Sequence, residues 1–289
     1  MKQKILFMMI DMNVGGTEKA FLNLVSEIDF TKYDVTLLLL EEKGGFLKDV
    51  PNEVQIETLE NYEQIKDEIM LPPLVCAKKA MHIKKYLKAV GILFYHIIFK
   101  ISNDRTSYYK YIIRKLKKKE GYDVAIAFAG PMEFITTYIL EKVEANKKIQ
   151  WIHFDISKNG TNLKHARRNY PKFNKIFVVS DQAKQILIDA IPSIDKITET
   201  KQNVVSEAAC LKLAEVGETY RNYDGIKILT VGRLYREKGQ DIIPEVARQL
   251  KKEGYDFKWY LIGEGSIRKE RPKKPLPADS RKCPSMLTI

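Results

Sequence analysis

Two hydrophobic rhythms alternate along this chain. Short unbroken apolar runs are followed by stretches whose apolar residues recur every three or four positions. The run KILFMMI (Lys4–Ile10) has the pattern of a strand covered on both faces. In GTEKAFLNLVSEI, Ala20, Phe21, Leu24, Val25 and Ile28 fall at helical spacing. DVTLLLL (Asp34–Leu40) predicts a second strand and VQIETL (Val54–Leu59) a short third. Residues 63–119 contain no strand-like run and read as helical. Strands return at DVAIAFA (Asp123–Ala129), KIQWIHF (Lys148–Phe154) and KIFVVS (Lys175–Ser180), each followed by a helical segment. This alternation predicts a parallel sheet with helices on both faces.

From Val205 to Asp224 the chain is polar, with no strand pattern. The alternation then restarts with strand IKILTVG (Ile226–Gly232), helix DIIPEVARQLKKEG (Asp241–Gly254) and strand FKWYLIG (Phe257–Gly263). The expected organisation is an N-terminal α/β domain over 1–205 with a basic helical insert at 63–119. A linker at 206–225, a partial second α/β domain at 226–270 and a disordered tail at 271–289 complete it.

The 289 residues, 45% of them hydrophobic, suffice for two ordinary domains and make disorder an unsuitable default. A net charge of +12 suits a phosphorylated substrate, an anionic membrane surface or a nucleic acid. No nucleic-acid motif accompanies it, so no nucleic-acid partner is expected. Cys76, Cys210 and Cys283 form neither a metal-ligand spacing nor a disulfide framework, which fits a reducing cytoplasm. The opening MKQKILFMMIDMN reaches Asp11 without a small-residue cleavage site and reads as a strand, not a signal peptide. The longest apolar candidate, VGILFYHIIF (Val90–Phe99), is interrupted by His96 and falls short of the ~18–20 residues of a membrane span.

Three places carry candidate chemistry. Gly15 and Gly16 sit between the first strand and first helix, at the strand edge where doubly wound sheets bind ligands. There the backbone can approach a ligand and the helix start offers N–H groups to an anion. A tight turn with Thr17 as N-cap accounts for the same residues. The spacing lacks the dinucleotide fingerprint, which disfavours a nicotinamide enzyme. His153 and Asp155 lie at the end of another strand; a lone histidine is often structural, but a strand end faces the cleft. In the last unit Gly232 closes a strand, followed by Arg233, Lys238 and Gly239. An arginine fork and a lysine point charge match a diphosphate and would stabilise its departure. Solvated loop cations are the plainer alternative. Gly263 and Gly265 flank Glu264 at the end of the next strand.

With these residues in view the chain resembles the family-four retaining glycosyltransferases. VGRLYREKGQDIIPEVARQLKKEGYDFKWYLIGEGSIRKE (Val231–Glu270) is the most specific part. GGTEKAFLNLV (Gly15–Val25), WIHFD (Trp151–Asp155), VVSDQAKQIL (Val178–Leu187) and QNVV (Gln202–Val205) follow the family's order. The likeness covers residues 3–270 and is loosest in the helical middle. It implies the GT-B fold: a complete Rossmann-like N-terminal domain and an incomplete second one, facing across a cleft. It implies transfer of a sugar from a nucleotide-sugar donor to a glycan or lipid-linked acceptor, with retention and with no metal or cofactor. Gly15 and Gly16 would approach the donor diphosphate and the acceptor. His153 would line the cleft near the donor sugar, and Arg233 and Lys238 would hold the diphosphate. Gly232, Gly263, Glu264 and Gly265 would shape the donor site.

The chain ends 24 residues beyond Gly265, before the family's glutamate pair could occur. Pro272, Pro275, Pro277 and Pro284 crowd a segment that is helical in the family. The expectation is a truncated chain with little or no transfer activity, or a non-catalytic binding module. Its incomplete second sheet is expected to leave ILTV and WYLI partly exposed. In the insert, Lys78, Lys79, Lys84, Lys85 and Lys88 interleave with Met81, Ile83, Tyr86 and Leu87. Such a pattern suits peripheral docking at the anionic inner face of the cytoplasmic membrane, or a solvated helix packed on its own domain.

Overall fold

Seven strands of the first unit run parallel, and across the sheet they begin in turn at Gln55, Tyr33, Gln3, Lys119, Val143, Lys175 and Thr198. The structure is a computed structural model and describes residues 2–130, 132–158, 160–216, 223–232, 234, 238–263 and 286–288. The chain divides into two compact units, Met1–Lys212 and Leu213–Ile289.

The predicted apolar runs form the sheet: β1 (Gln3–Met9), β2 (Tyr33–Leu39), β3 (Gln55–Thr58), β4 (Lys119–Gly130), β5 (Val143–Ile152) and β6 (Lys175–Val178). A seventh strand, β7 (Thr198–Thr200), was not predicted. It is three residues of threonine and glutamate, too short and polar to stand out by pattern. β5 also begins five residues before the predicted start at Lys148, because α6 (Glu133–Lys142) runs directly into it without a turn signal.

The central strands are covered on both faces, as their unbroken apolar runs required. On one face Phe7, Met9, Leu37 and Leu39 pack with Phe21 and Val25 of α1 (Gly16–Ser26). On the other, Leu6, Met8 and Leu38 pack with Phe134 and Tyr138 of α6 and with Tyr108, Tyr109 and Ile112 of α5 (Thr106–Ile113). The remaining helices are α2 (Lys66–Met70), α3 (Pro73–His82), α4 (Tyr86–Ser102), α7 (Leu163–Asn169), α8 (Asp181–Ala190) and α9 (Glu207–Val216). α9 occupies the stretch expected to be linker.

In the second unit β8 (Ile226–Val231), α10 (Ile243–Lys252) and β9 (Phe257–Ile262) make one parallel crossover. A third strand, β10 (Met286–Thr288), adds antiparallel to β9, so three residues of the expected disordered tail are paired and the sheet is not limited to two strands. The rest of that tail lies outside the described residues. Leu229 and Val231 alternate onto one open face of β8 and are more than half exposed, and in β9 Trp259 and Ile262 are half-buried while Tyr260 and Leu261 are buried, so both runs are partly exposed. The architecture is mixed α/β, as the alternation of the sequence predicts.

Candidate functional site

Parallel strands bring all their carboxyl ends to one edge. Strand order reverses between β1 and β4, since β2 and β3 extend to one side and β5–β7 to the other. A crevice at such a reversal is the usual ligand position in open α/β sheets. The Gly15–Gly16 turn follows β1 there.

The turn is built by its neighbours. Asp11, 8% exposed, accepts from the Asn13 backbone N–H at 3.0 Å and from Asn13 Nδ2 at 2.7 Å, which closes a local Asx turn. Met12 N–H donates to Lys43 O at 2.9 Å, and Phe46 N–H donates to Met12 O at 2.9 Å. Gly44 makes this clasp possible. Its φ is +121°, and a Cβ there would stand 2.1 Å from the Met12 backbone. The clasp residues were not singled out from sequence, although the second glycine pair was visible in KGG. The N-cap of α1 is Gly15, so the alternative of a turn capped by Thr17 does not hold: the helix starts at Gly16 and Thr17 is already helical. No side chain caps Gly15. Glu18 in the first turn folds back, so that its Oε2 lies 2.3 Å from where a Gly15 Cβ would be. Nothing lies within 4 Å of a Cβ at Gly16, so that position opens onto free space.

His153 follows β5 on the face that carries α1. Rings link the two: Phe7–Phe21 at 5.3 Å, Phe21–Phe128 at 5.9 Å and Phe128–His153 at 4.4 Å between centroids. Trp151 stacks on His153 with 3° between planes. Burial drives the His153 pKa down to about 4, partly opposed by Asn203 and the Phe128 backbone. Neither of these reaches hydrogen-bonding geometry: Nδ1, Nε2 and the nearby Trp151 Nε1 are all buried without a partner. Buried polar atoms in folded proteins are almost always paired, so three unpaired nitrogens at one strand end are an uncommon feature. At neutral pH the ring is uncharged and can both donate and accept one hydrogen bond.

Glu133 opens α6 just after β4, at the reversal point, and was missed from sequence. Its carboxyl is pushed up by burial, opposed by Arg105, and its Oε2 has no partner. A single glutamate after a strand gives no pattern; only the topology places it.

In the second unit Gly232 ends β8 and Gly263 follows β9, so both lie at the carboxyl edge of that sheet. Gly232 N–H donates to Ile262 O at 2.9 Å and locks the two ends together. Lys238 is exposed. Gly239 has φ +66° and starts the turn into α10, a left-handed position suited to glycine. Gln240 is 3% exposed beneath this loop, with its Oε1 unpaired. Arg233, Glu264 and Gly265 lie outside the described residues. In the first unit Gly15, Gly16 and His153 follow strands at one carboxyl edge, and in the second Gly232 and Gly263 do so, with Lys238 in the loop after β8. Among the described residues no group of acidic, histidine or cysteine side chains could hold a metal ion.

No family model matches the chain, and no curated protein matches it. Solved structures do. HepE of Anabaena, crystallised with UDP and glucose, is 14% identical over 93% of this chain and 63% of its own, with a TM-score of 0.54. TarM of S. aureus is 13% identical over 93% of this chain and 73% of its own, with a TM-score of 0.56. A TarM mutant solved with Fondaparinux, alpha-GlcNAc-glycerol and UDP gives 12% and 0.56. The chain spans 63% of the HepE chain that it matches. These relatives in structure are GT-B glycosyltransferases, and the fold of this chain is theirs.

Proposed function

We propose that the chain belongs to a glycosyltransferase that moves a sugar from a nucleotide-sugar donor to a hydroxyl of a glycan or lipid-linked acceptor, with retention of configuration. One observation carries this: a neutral, unpaired His153 at the strand edge that also holds an open glycine turn at the reversal point. Sugars present several hydroxyls, each a donor and an acceptor. The orphaned nitrogens of His153 and Trp151 suit them better than they suit a carboxylate or phosphate.

The two units would divide the work. Gly15 and Gly16 would let the acceptor or donor sugar approach the backbone. Glu18 already places a carboxylate beside the start of α1, which repels phosphate there. The first unit therefore suits hydroxyl groups. The second unit would hold the nucleotide: Arg233 and Lys238 on the diphosphate, with Gly232, Gly263, Glu264 and Gly265 around it. Both HepE and TarM structures contain UDP, which supports a uridine nucleotide.

The test is to incubate purified full chain with a panel of nucleotide sugars and with glycan and polyprenyl-phosphate acceptors. Nucleoside diphosphate release is followed, together with the anomeric proton of the product. The proposal expects release from one donor and a product of unchanged anomeric configuration, with turnover reduced about tenfold or more in His153→Ala. An inverted product would remove the retention claim, and neither release nor donor binding across the panel would remove the proposal.

A further inference from the structure

Residues 71–103 contain six lysines and no aspartate or glutamate. Within them α4 turns an apolar stripe outward. Leu87, Val90, Phe94, Ile97 and Ile101 are 91, 64, 57, 57 and 81% exposed. Their spacing of three and four residues puts them on one face, about 21 Å long at about 1.5 Å per residue. The same helix buries Ala89 and Ile92 against the domain. The stripe is therefore additional to the face that holds α4 in place, and the idea that it packs on its own domain is set aside. By contrast Tyr108, Tyr109, Ile112 and Ile113, from the other half of the basic region, are core residues.

A cavity of about 790 Å³ opens at the amino end of this stripe, with Tyr86 and Leu87 at its lip. Lys84, Lys85, Lys88, Arg114 and Lys115 line it. Their positions are fixed by structure. Lys84 sits at φ +58°, an uncommon backbone for a residue with a Cβ. Arg114 lies 3.7 Å over the Tyr111 ring centroid and donates from Nη1 to Tyr111 O at 2.8 Å. Lys88 pairs with Glu68 Oε1 and donates to Gln64 O at 3.2 Å. Glu68 also lines the cavity. It is 6% exposed, and its Oε2 is buried with no partner. The cavity thus offers several cations to an anion, next to a strip of exposed hydrocarbon.

We propose that this cavity binds the phosphate headgroup of an anionic phospholipid while the α4 stripe lies among its acyl chains. Charge selects the occupant. A second copy of this chain would bring one lysine-rich face against another, whereas an anionic bilayer complements it. The inference stands apart from the transferase reading, since none of these residues belongs to the carboxyl-edge group.

The test uses the full chain and flotation with vesicles of phosphatidylcholine alone, or with one third phosphatidylglycerol. Two surface variants are compared: Lys84→Ala/Lys85→Ala/Arg114→Ala in the cavity and Leu87→Ser/Phe94→Ser/Ile101→Ser on the stripe. Binding is expected with phosphatidylglycerol and to fall about fivefold per cation removed. The stripe variant is expected to lose at least about tenfold. A Phe94→Trp chain reports insertion directly, through a blue-shifted emission on phosphatidylglycerol vesicles. Equal binding to both vesicles, indifference to either variant, or displacement by glycerol phosphate without any vesicle binding would overturn the proposal. So would a stable dimer in sedimentation that the stripe variant dissolves.

Discussion

His153 holds both ring nitrogens inside the protein without a well-formed hydrogen bond, with only Asn203 and the Phe128 backbone near by, and the second buried histidine makes a useful contrast. His165 is 2% exposed, and its Nε2 lies 3.0 Å from Thr137 Oγ1, so it is a satisfied structural residue. Burial drives the pKa of each to about 4. In the unfolded chain both titrate near 6.5. Between these values the unfolded chain takes up protons that the native rings refuse. Stability is therefore full above about pH 6.5 and falls as pH drops toward 4, by on the order of 3 kcal/mol per ring. His153→Phe keeps a ring against Phe128 and Trp151 but removes the orphaned nitrogens. Thermal unfolding should show it at least as stable as the parent at pH 7 and less sensitive to acid, while transfer activity is lost. A variant that unfolds at pH 7 would instead make His153 structural. The glycines separate in the same way. Gly16→Ala meets open space and should leave the melting temperature unchanged while weakening ligand binding at the turn. Gly44→Ala, strained at φ +121° and overlapping the Met12 backbone, should cost about 3 kcal/mol or more in denaturant unfolding.

At the scale of elements, legibility followed amplitude of pattern. The unbroken runs of β1 and β2 were read correctly because strands buried on both faces leave no polar break. β7 escaped because its pairing with β6 is tertiary and its three residues are polar. The apolar stripe of α4 was only half legible. Interleaved lysines and aliphatics showed an amphipathic helix, but which side met the domain depended on Ala89 and Ile92, two ordinary residues. The packing of α1 ties fold to site. Phe21, 0% exposed, is the ring between Phe7 and Phe128, and Phe128 carries His153. Phe21→Ala should destabilise by about 3–5 kcal/mol in urea unfolding and release the Phe128 ring beneath His153. Wild-type stability of this variant would mean that α1 does not clamp the sheet.

For the whole molecule, two α/β units each present glycine-marked strand ends at a carboxyl edge. Sequence located those ends because glycine after an apolar run is a strong local signal. It did not locate Glu133, Glu18 or the Lys43–Phe46 clasp, which acquire meaning only when the reversal between β1 and β4 gathers distant loops. The charge of +12 is also organised at this scale, since a large share lies in the acid-poor helices 71–119 and not around the glycine turn. On the proposed reading a nucleotide would fall to Arg233 and Lys238 of the second unit, and the basic surface to a different partner.

Calorimetric titration of the full chain with UDP, repeated for Lys238→Ala and Arg233→Ala, tests the assignment most directly. The account predicts saturable binding that weakens about tenfold or more when either cation is removed, each being a charge-assisted contact worth about 1.5–3 kcal/mol. Absence of UDP binding, or affinity unchanged in both variants, would contradict it.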